Sequence, residues 1–114
     1  MENATIHFVI ENHTSIEEAT SFAYKLMTLI ATNVDIKKVE PHSSLKHSFC
    51  VYLNISLSDD LIVSSNQFTE SICSPWVVSY HNIDALEMIF KKSKQSTYSD
   101  PDFSCIKWGH LQTL

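Results

Sequence analysis

Nine residues, Phe49 to Leu57, limit the fold more than any other stretch of the chain. Phe49, Val51, Leu53, Ile55 and Leu57 alternate with Cys50, Tyr52, Asn54 and Ser56. A period of two sends the first set to one side of a β-strand and the second set to the other. One face of a sheet is therefore buried, and the opposite face is wet and open to contacts. A second periodicity lies upstream. Ile16, Ala19, Phe22, Ala23, Leu26, Met27 and Ile30 recur at three- and four-residue steps, the apolar stripe of an amphipathic helix of about 16 residues. Ser15 and Glu18 stand at capping-box spacing before it, and Glu17 adds negative charge to its first turn. Asn33 is the expected stop.

The remaining segments fill in around these two. Thr5–Ile10 is β-branched and aromatic and reads as a strand. Val34–Glu40 reads as a short strand, with Val34, Ile36 and Lys38 on one face, and Pro41–Ser44 as a turn. Ser58-Asp59-Asp60 reads as a hairpin turn and Leu61–Ser64 as a returning strand. Ser65–Ser74 fits a strand, a short helix or a loop. Trp76–Tyr80 reads as a strand. Asn82 can cap a second helix with Asp84 in its first turn, Ile83, Leu86, Ile89 and Phe90 as its stripe, and Lys91, Lys92 and Lys94 at its negative end. Lys94–Asp102 reads as a polar loop and Phe103–Leu111 as the last strand. The expected architecture is a single α+β domain over residues 1–114, an antiparallel or mixed sheet with two amphipathic helices packed on it.

Composition narrows function mainly by exclusion. A lone glycine, Gly109, cannot make a phosphate-cradling glycine loop, which excludes the P-loop and dinucleotide-binding motifs. No apolar run is long enough to span a membrane, and the start Met1-Glu2-Asn3 lacks the pattern of a secretory signal. Cys50, Cys73 and Cys105 are odd in number and widely spaced, as expected of free thiols in the cytoplasm. Six histidines show no metal-ligand spacing; the nearest pair, His42 and His47, flanks a turn. No nucleophile sits in a recognisable motif, so neither cofactor nor metal nor small-molecule substrate is expected, and the chain reads as a non-enzyme. Thirteen acids face eight bases, all of them lysine, for a formal net charge of −5. Without arginine and with this sign, the chain suits neither nucleic acid nor an anionic membrane. A basic protein partner fits the field.

The candidate contact residues are therefore acids in turns and on exposed faces, with one tyrosine: Asp59, Asp60, Glu70, Asp84, Glu87, Tyr98, Asp100 and Asp102. Each acid has a plain alternative as solvated charge, helix-end electrostatics or turn chemistry. Trp76, Tyr80, Tyr98 and Trp108 are either core or aromatic anchors of an interface.

Size, acidity, lack of arginine, absence of a catalytic motif and the α+β plan together resemble the small immunity proteins of bacterial contact-dependent growth-inhibition systems. The resemblance spans the whole chain and rests on general character, not on a shared motif. It implies a cytoplasmic protein that binds one cognate toxin domain, commonly a nuclease, about one to one, and neutralises it by covering a cationic active site. The competing readings are another binding or accessory module or assembly subunit, and a small hydrolase or ribonuclease.

Overall fold

The computed structural model describes residues 2–30, 34–57, 60–82 and 86–113. The elements run β1 (Glu2–Ile10), α1 (Ile16–Ile30), β2 (Val34–Pro41), β3 (Phe49–Leu57), α2 (Leu61–Glu70), β4 (Cys73–Asn82), β5 (Glu87–Tyr98) and β6 (Ile106–Thr113), with a short 3-10 helix at Pro101–Cys105 before the last strand. One six-stranded sheet holds the strands in the order β2-β3-β1-β6-β5-β4, every neighbouring pair antiparallel. The fold is α+β, with two helices on the sheet. Each helix leads the chain from the sheet's interior to an edge, α1 from β1 to β2 and α2 from β3 to β4, and hairpins return it to the middle.

The two periodicities take their expected forms. On β3, Phe49, Val51, Leu53, Ile55 and Leu57 are buried, in register with Ala4, Ile6, Phe8 and Ile10 of β1. Ala19, Phe22, Ala23 and Leu26 of α1 close over this face, and Phe90, Met88, Ile106, Leu111 and Phe103 extend the same core. Burying each large side chain stabilises the fold by about 1.5–3 kcal/mol before the entropy of ordering is subtracted. The helix start follows the capping logic with one variation. The Ser15 hydroxyl accepts from Glu18 N–H at 3.1 Å, while the Glu18 carboxylate accepts from the hydroxyl and N–H of Thr14, not from Ser15.

Five segments depart from the sequence reading. Leu61–Ser64 is helix, not strand. The Asp60 carboxylate accepts from Val63 N–H at 3.1 Å, so this residue caps α2 and does not turn a hairpin. The buried stripe of α2 carries Ser65 and Thr69, whose hydroxyls donate to Ile62 and Asn66 carbonyls of the same helix. Polar residues on the buried side hid the helical period. The helix expected from Asn82 to Lys94 is instead the end of β4 and most of β5. Leu86, Met88 and Phe90 alternate into the core, and a strand here completes ladders to both β4 and β6. The expected loop is strand as far as Tyr98. The final strand starts at Ile106, because Asp100 caps the 3-10 turn through Asp102 N–H at 2.9 Å. On β2 the register shifts between Ile36 and Lys38, so Val39, not Lys38, joins Val34 and Ile36 on the core side. Asn33, Asp59, Ile83 and Asp84 lie outside the described residues.

Candidate functional site

The helices cover one face of the sheet, and the pleat sends a second set of side chains to the other. Cross-strand register lines these up in rows. One row runs Ser79, Ile89, His110, His7, Tyr52 and Lys38 across all six strands; the next holds Lys91, Trp108, Val9, Cys50 and Glu40. Four rings meet at the centre. His7 stacks on Tyr52 with centroids 5.0 Å apart, meets Trp108 edge-on at 5.3 Å and lies 5.4 Å from His110. Lys38 Nζ sits 4.6 Å from the Tyr52 ring centroid, within cation–π range. Charges ring this centre: Lys38 pairs with Glu40 at 3.6 Å, and Glu87 lies 3.8 Å from His110 Nε2. Burial among the rings, with the His110 charge second, lowers the His7 pKa to about 4, so His7 is a neutral imidazole near pH 7. Burial, then Cys50 and Glu40, raises the Tyr52 hydroxyl. Near neutral pH His7, Tyr52 and Trp108 therefore present flat, uncharged, amphipathic rings at the centre.

Those acids named from the sequence that lie among the described residues are divided between the two ends of the sheet. Asp60 caps α2 at the end where β3 finishes, and Glu87 opens β5 at that same end, beside His110. Glu70 closes α2 at the opposite end, where Tyr98 pairs with Cys73 and the 3-10 turn begins. There Lys25 of α1 pairs with Asp100 at 3.3 Å and with Asp102. The N–H of Asp102, helped by Lys25, holds the Asp100 carboxyl below its usual range. A groove of about 680 Å³ lies alongside, lined by Glu17, Glu18, His13, Phe22, Asp102 and Cys105. Its carboxylates on Glu18 and Asp102 already have partners on Thr14 and Lys25. Burial pushes the Cys105 thiol up to about 12, which keeps it protonated and a poor nucleophile.

Of the aromatic candidates, Trp76 belongs to the core, its ring 5.0 Å from Phe90 and its N–H donating to Thr69 carbonyl at 2.7 Å. Tyr98 is half-buried against the core, in a strand and not a loop. Trp108 lies on the open face. The sequence reading missed His7 and His110 as part of a site. Their signal was present in the alternation of the first and last strands, but only pairing between the two termini brings them together. No family model, curated protein or solved structure matches the chain.

Proposed function

We propose that the chain is a protein-binding inhibitor of the immunity type, which holds a basic toxin domain, such as a nuclease, against the open face of its sheet and so blocks the toxin's active site. The row of rings at the centre of that face carries the reading. Aromatic side chains at the middle of a surface with charge at its margin are the anatomy of a protein interface, in which buried rings supply most of the binding energy. The size is adequate. Six strands about 4.8 Å apart and about nine residues long make a face of roughly 24 by 30 Å, close to the ~800 Å² per partner of a stable complex. Asp35, Glu40 and Glu87 supply acids at the margin, against Lys38 and Lys91. With a net charge of −5 and no arginine, the field favours a cationic protein over a nucleic acid, although stacked rings on a sheet can also serve bases. Inhibition by coverage requires no chemistry from the inhibitor, no cofactor and no metal. Among the sequence candidates, Glu87 borders this face, whereas Asp60, Asp100 and Asp102 are engaged within the chain. Free thiols at Cys50, Cys73 and Cys105 suit a cytoplasmic site of action.

The experiment is rescue of growth. The toxin candidate is the single basic protein that co-purifies one to one with the tagged chain at low salt from cells that encode both. Expressed alone it should arrest growth, and co-expression of the chain should restore it. Tyr52→Ala/Trp108→Ala should abolish both rescue and co-purification while keeping the native circular dichroism spectrum. Rescue by the folded double variant, or the absence of any toxic partner, would overturn the reading.

A further inference from the structure

An open six-stranded sheet has two free edges, and this chain treats them differently. Unpaired backbone groups on an edge strand recruit other strands, and edges are usually blunted by charge, proline or bulges. β2 is blunted throughout. It carries Asp35, Lys37, Lys38 and Glu40, ends at Pro41 and shifts register between Ile36 and Lys38. β4 is different. Pro75 and register shifts at Ser74/Trp76 and Tyr80/Asn82 mark its ends, but between them Trp76-Val77-Val78-Ser79-Tyr80 pairs regularly with β5 and carries no charged side chain. The neutrality extends beyond the strand. From Leu61 to Asn82 the only Asp, Glu, Lys or Arg is Glu70, in a chain that has 13 acids and 8 bases.

Apolar exposure concentrates at the same place. Val77 is 55% exposed, Tyr80 41%, Val63 49% and Ile62 38%. Tyr80 hydroxyl and the Asn66 side chain meet at 3.3 Å, which ties β4 to α2. Ile62 and Val63 lie one turn before Asn66, so they share its side of the helix. The edge of β4 and the adjoining side of α2 thus form a neutral, partly apolar strip, with Tyr80, Ile62 and Val63 on its helix side and Val77 on the open face, at the far end of the row that holds Lys91 and Trp108.

We propose that this edge pairs with β4 of a second copy of the chain, antiparallel about a twofold axis, to make a continuous twelve-stranded sheet. Charge selects the occupant. A basic partner would meet almost no carboxylate here, whereas two copies that each carry −5 avoid like-charge contact only where the surface is neutral. An uncharged strand is also self-complementary in the antiparallel sense that a twofold contact requires. Ile62, Val63 and Tyr80 of each copy flank the new ladder and add apolar contact.

Sedimentation equilibrium on the full chain tests this. Wild type at about 100 μM, a concentration that populates a dimer with a Kd in the micromolar range, should have twice its 13.0 kDa mass. Val63→Lys/Val77→Lys places lysines on both flanks of the edge at exposed positions. It should weaken self-association by about tenfold or more, with an unchanged circular dichroism spectrum. Lys37→Val on the opposite edge should leave the dimer intact. In wild type, amide exchange along Val77–Tyr80 should slow as protein concentration rises. A wild-type mass of 13.0 kDa at that concentration overturns the proposal. So does a dimer indifferent to the lysine pair, or a β4 edge occupied by a different protein.

Discussion

Gly109 is the single glycine of the chain, and the space around it shows why an alanine there should be costly. It sits on β6 directly across from Phe90 on β5. A Cβ at Gly109 would stand 2.4 Å from Phe90 Cζ, 2.5 Å from Cε2 and 3.1 Å from Cε1, well inside the ~3.5–4.0 Å at which carbon atoms rest. A ring at the end of a side chain can often swing away, but this one is held. Phe90 is fully buried, with Phe8 edge-on at 5.7 Å and Trp76 at 5.0 Å. Gly109→Ala must therefore push three packed rings or bend two strands. Overpacking of this kind costs about 1–3 kcal/mol, and the closeness of two contacts points to the upper figure. With a urea m-value of about 1.5 kcal/mol/M, a loss of about 3 kcal/mol lowers the unfolding midpoint by about 2 M. Equilibrium urea unfolding followed by tryptophan fluorescence measures it. Phe90→Leu makes the test specific. Alone it should cost about 1–2 kcal/mol through lost packing, but in its presence Gly109→Ala should be nearly neutral, a coupling of about 2 kcal/mol. An unchanged midpoint for Gly109→Ala, or equal losses in both backgrounds, would refute the steric account.

Three further outcomes follow from the geometry. The unfolded chain protonates His7 near pH 6.5, whereas in the fold burial and His110 lower its pKa to about 4. The unfolded state thus binds more protons in that window, and stability due to His7 is present above pH 6.5 and lost as pH falls toward 4. His7→Gln should flatten the urea midpoint between pH 6.5 and 4; matching slopes in the two proteins would exclude the effect. Asp60→Ala removes the α2 cap and should cost about 1 kcal/mol, or about 4 °C in Tm, with Asp60→Asn retaining most of it. Equal losses for Ala and Asn would show that the cap is not the cause. Finally, burial raises the thiols of Cys50, Cys73 and Cys105, so iodoacetamide at pH 8 should label the native protein about tenfold or more slowly than the protein in urea. Native labelling at the unfolded rate would contradict this.

The parts of the fold legible in the sequence were those whose period matched their burial. β3 and α1 are of this kind, since each shows its buried side as a clean apolar repeat. Where burial and polarity diverge, the reading fails. α2 turns Ser65 and Thr69 to the core and satisfies them on its own carbonyls, which left only Leu61-Ile62-Val63 visible as a β-like run. In the opposite sense, Leu86, Ile89 and Phe90 fit a helical stripe by spacing, yet Ile89 stands on the face away from Phe90 once β4 and β6 pair on either side. Local spacing cannot weigh such long-range ladders. The site suffered the same way. Tyr52 was readable as an outward residue of β3, but the cluster of His7, Tyr52, Trp108 and His110 exists only because the first strand lies between the third and the last.

That placement of β1 also orders events in time. Glu2–Ile10, made before the other five strands, pairs on one side with β3 and on the other with β6, the last of the six. While the chain emerges from the ribosome, β1, α1, β2 and β3 can assemble as a three-stranded unit. One flank of β1 then has nothing to bond until Ile106–Thr113 arrives. Val9 and Trp108 face each other although nearly the whole chain lies between them. Closure of that seam is entropically slow, and the waiting edge is open to wrong pairing with neighbouring chains. The ring cluster is completed by the same event, so a chain interrupted before its final strand lacks both Trp108 and His110.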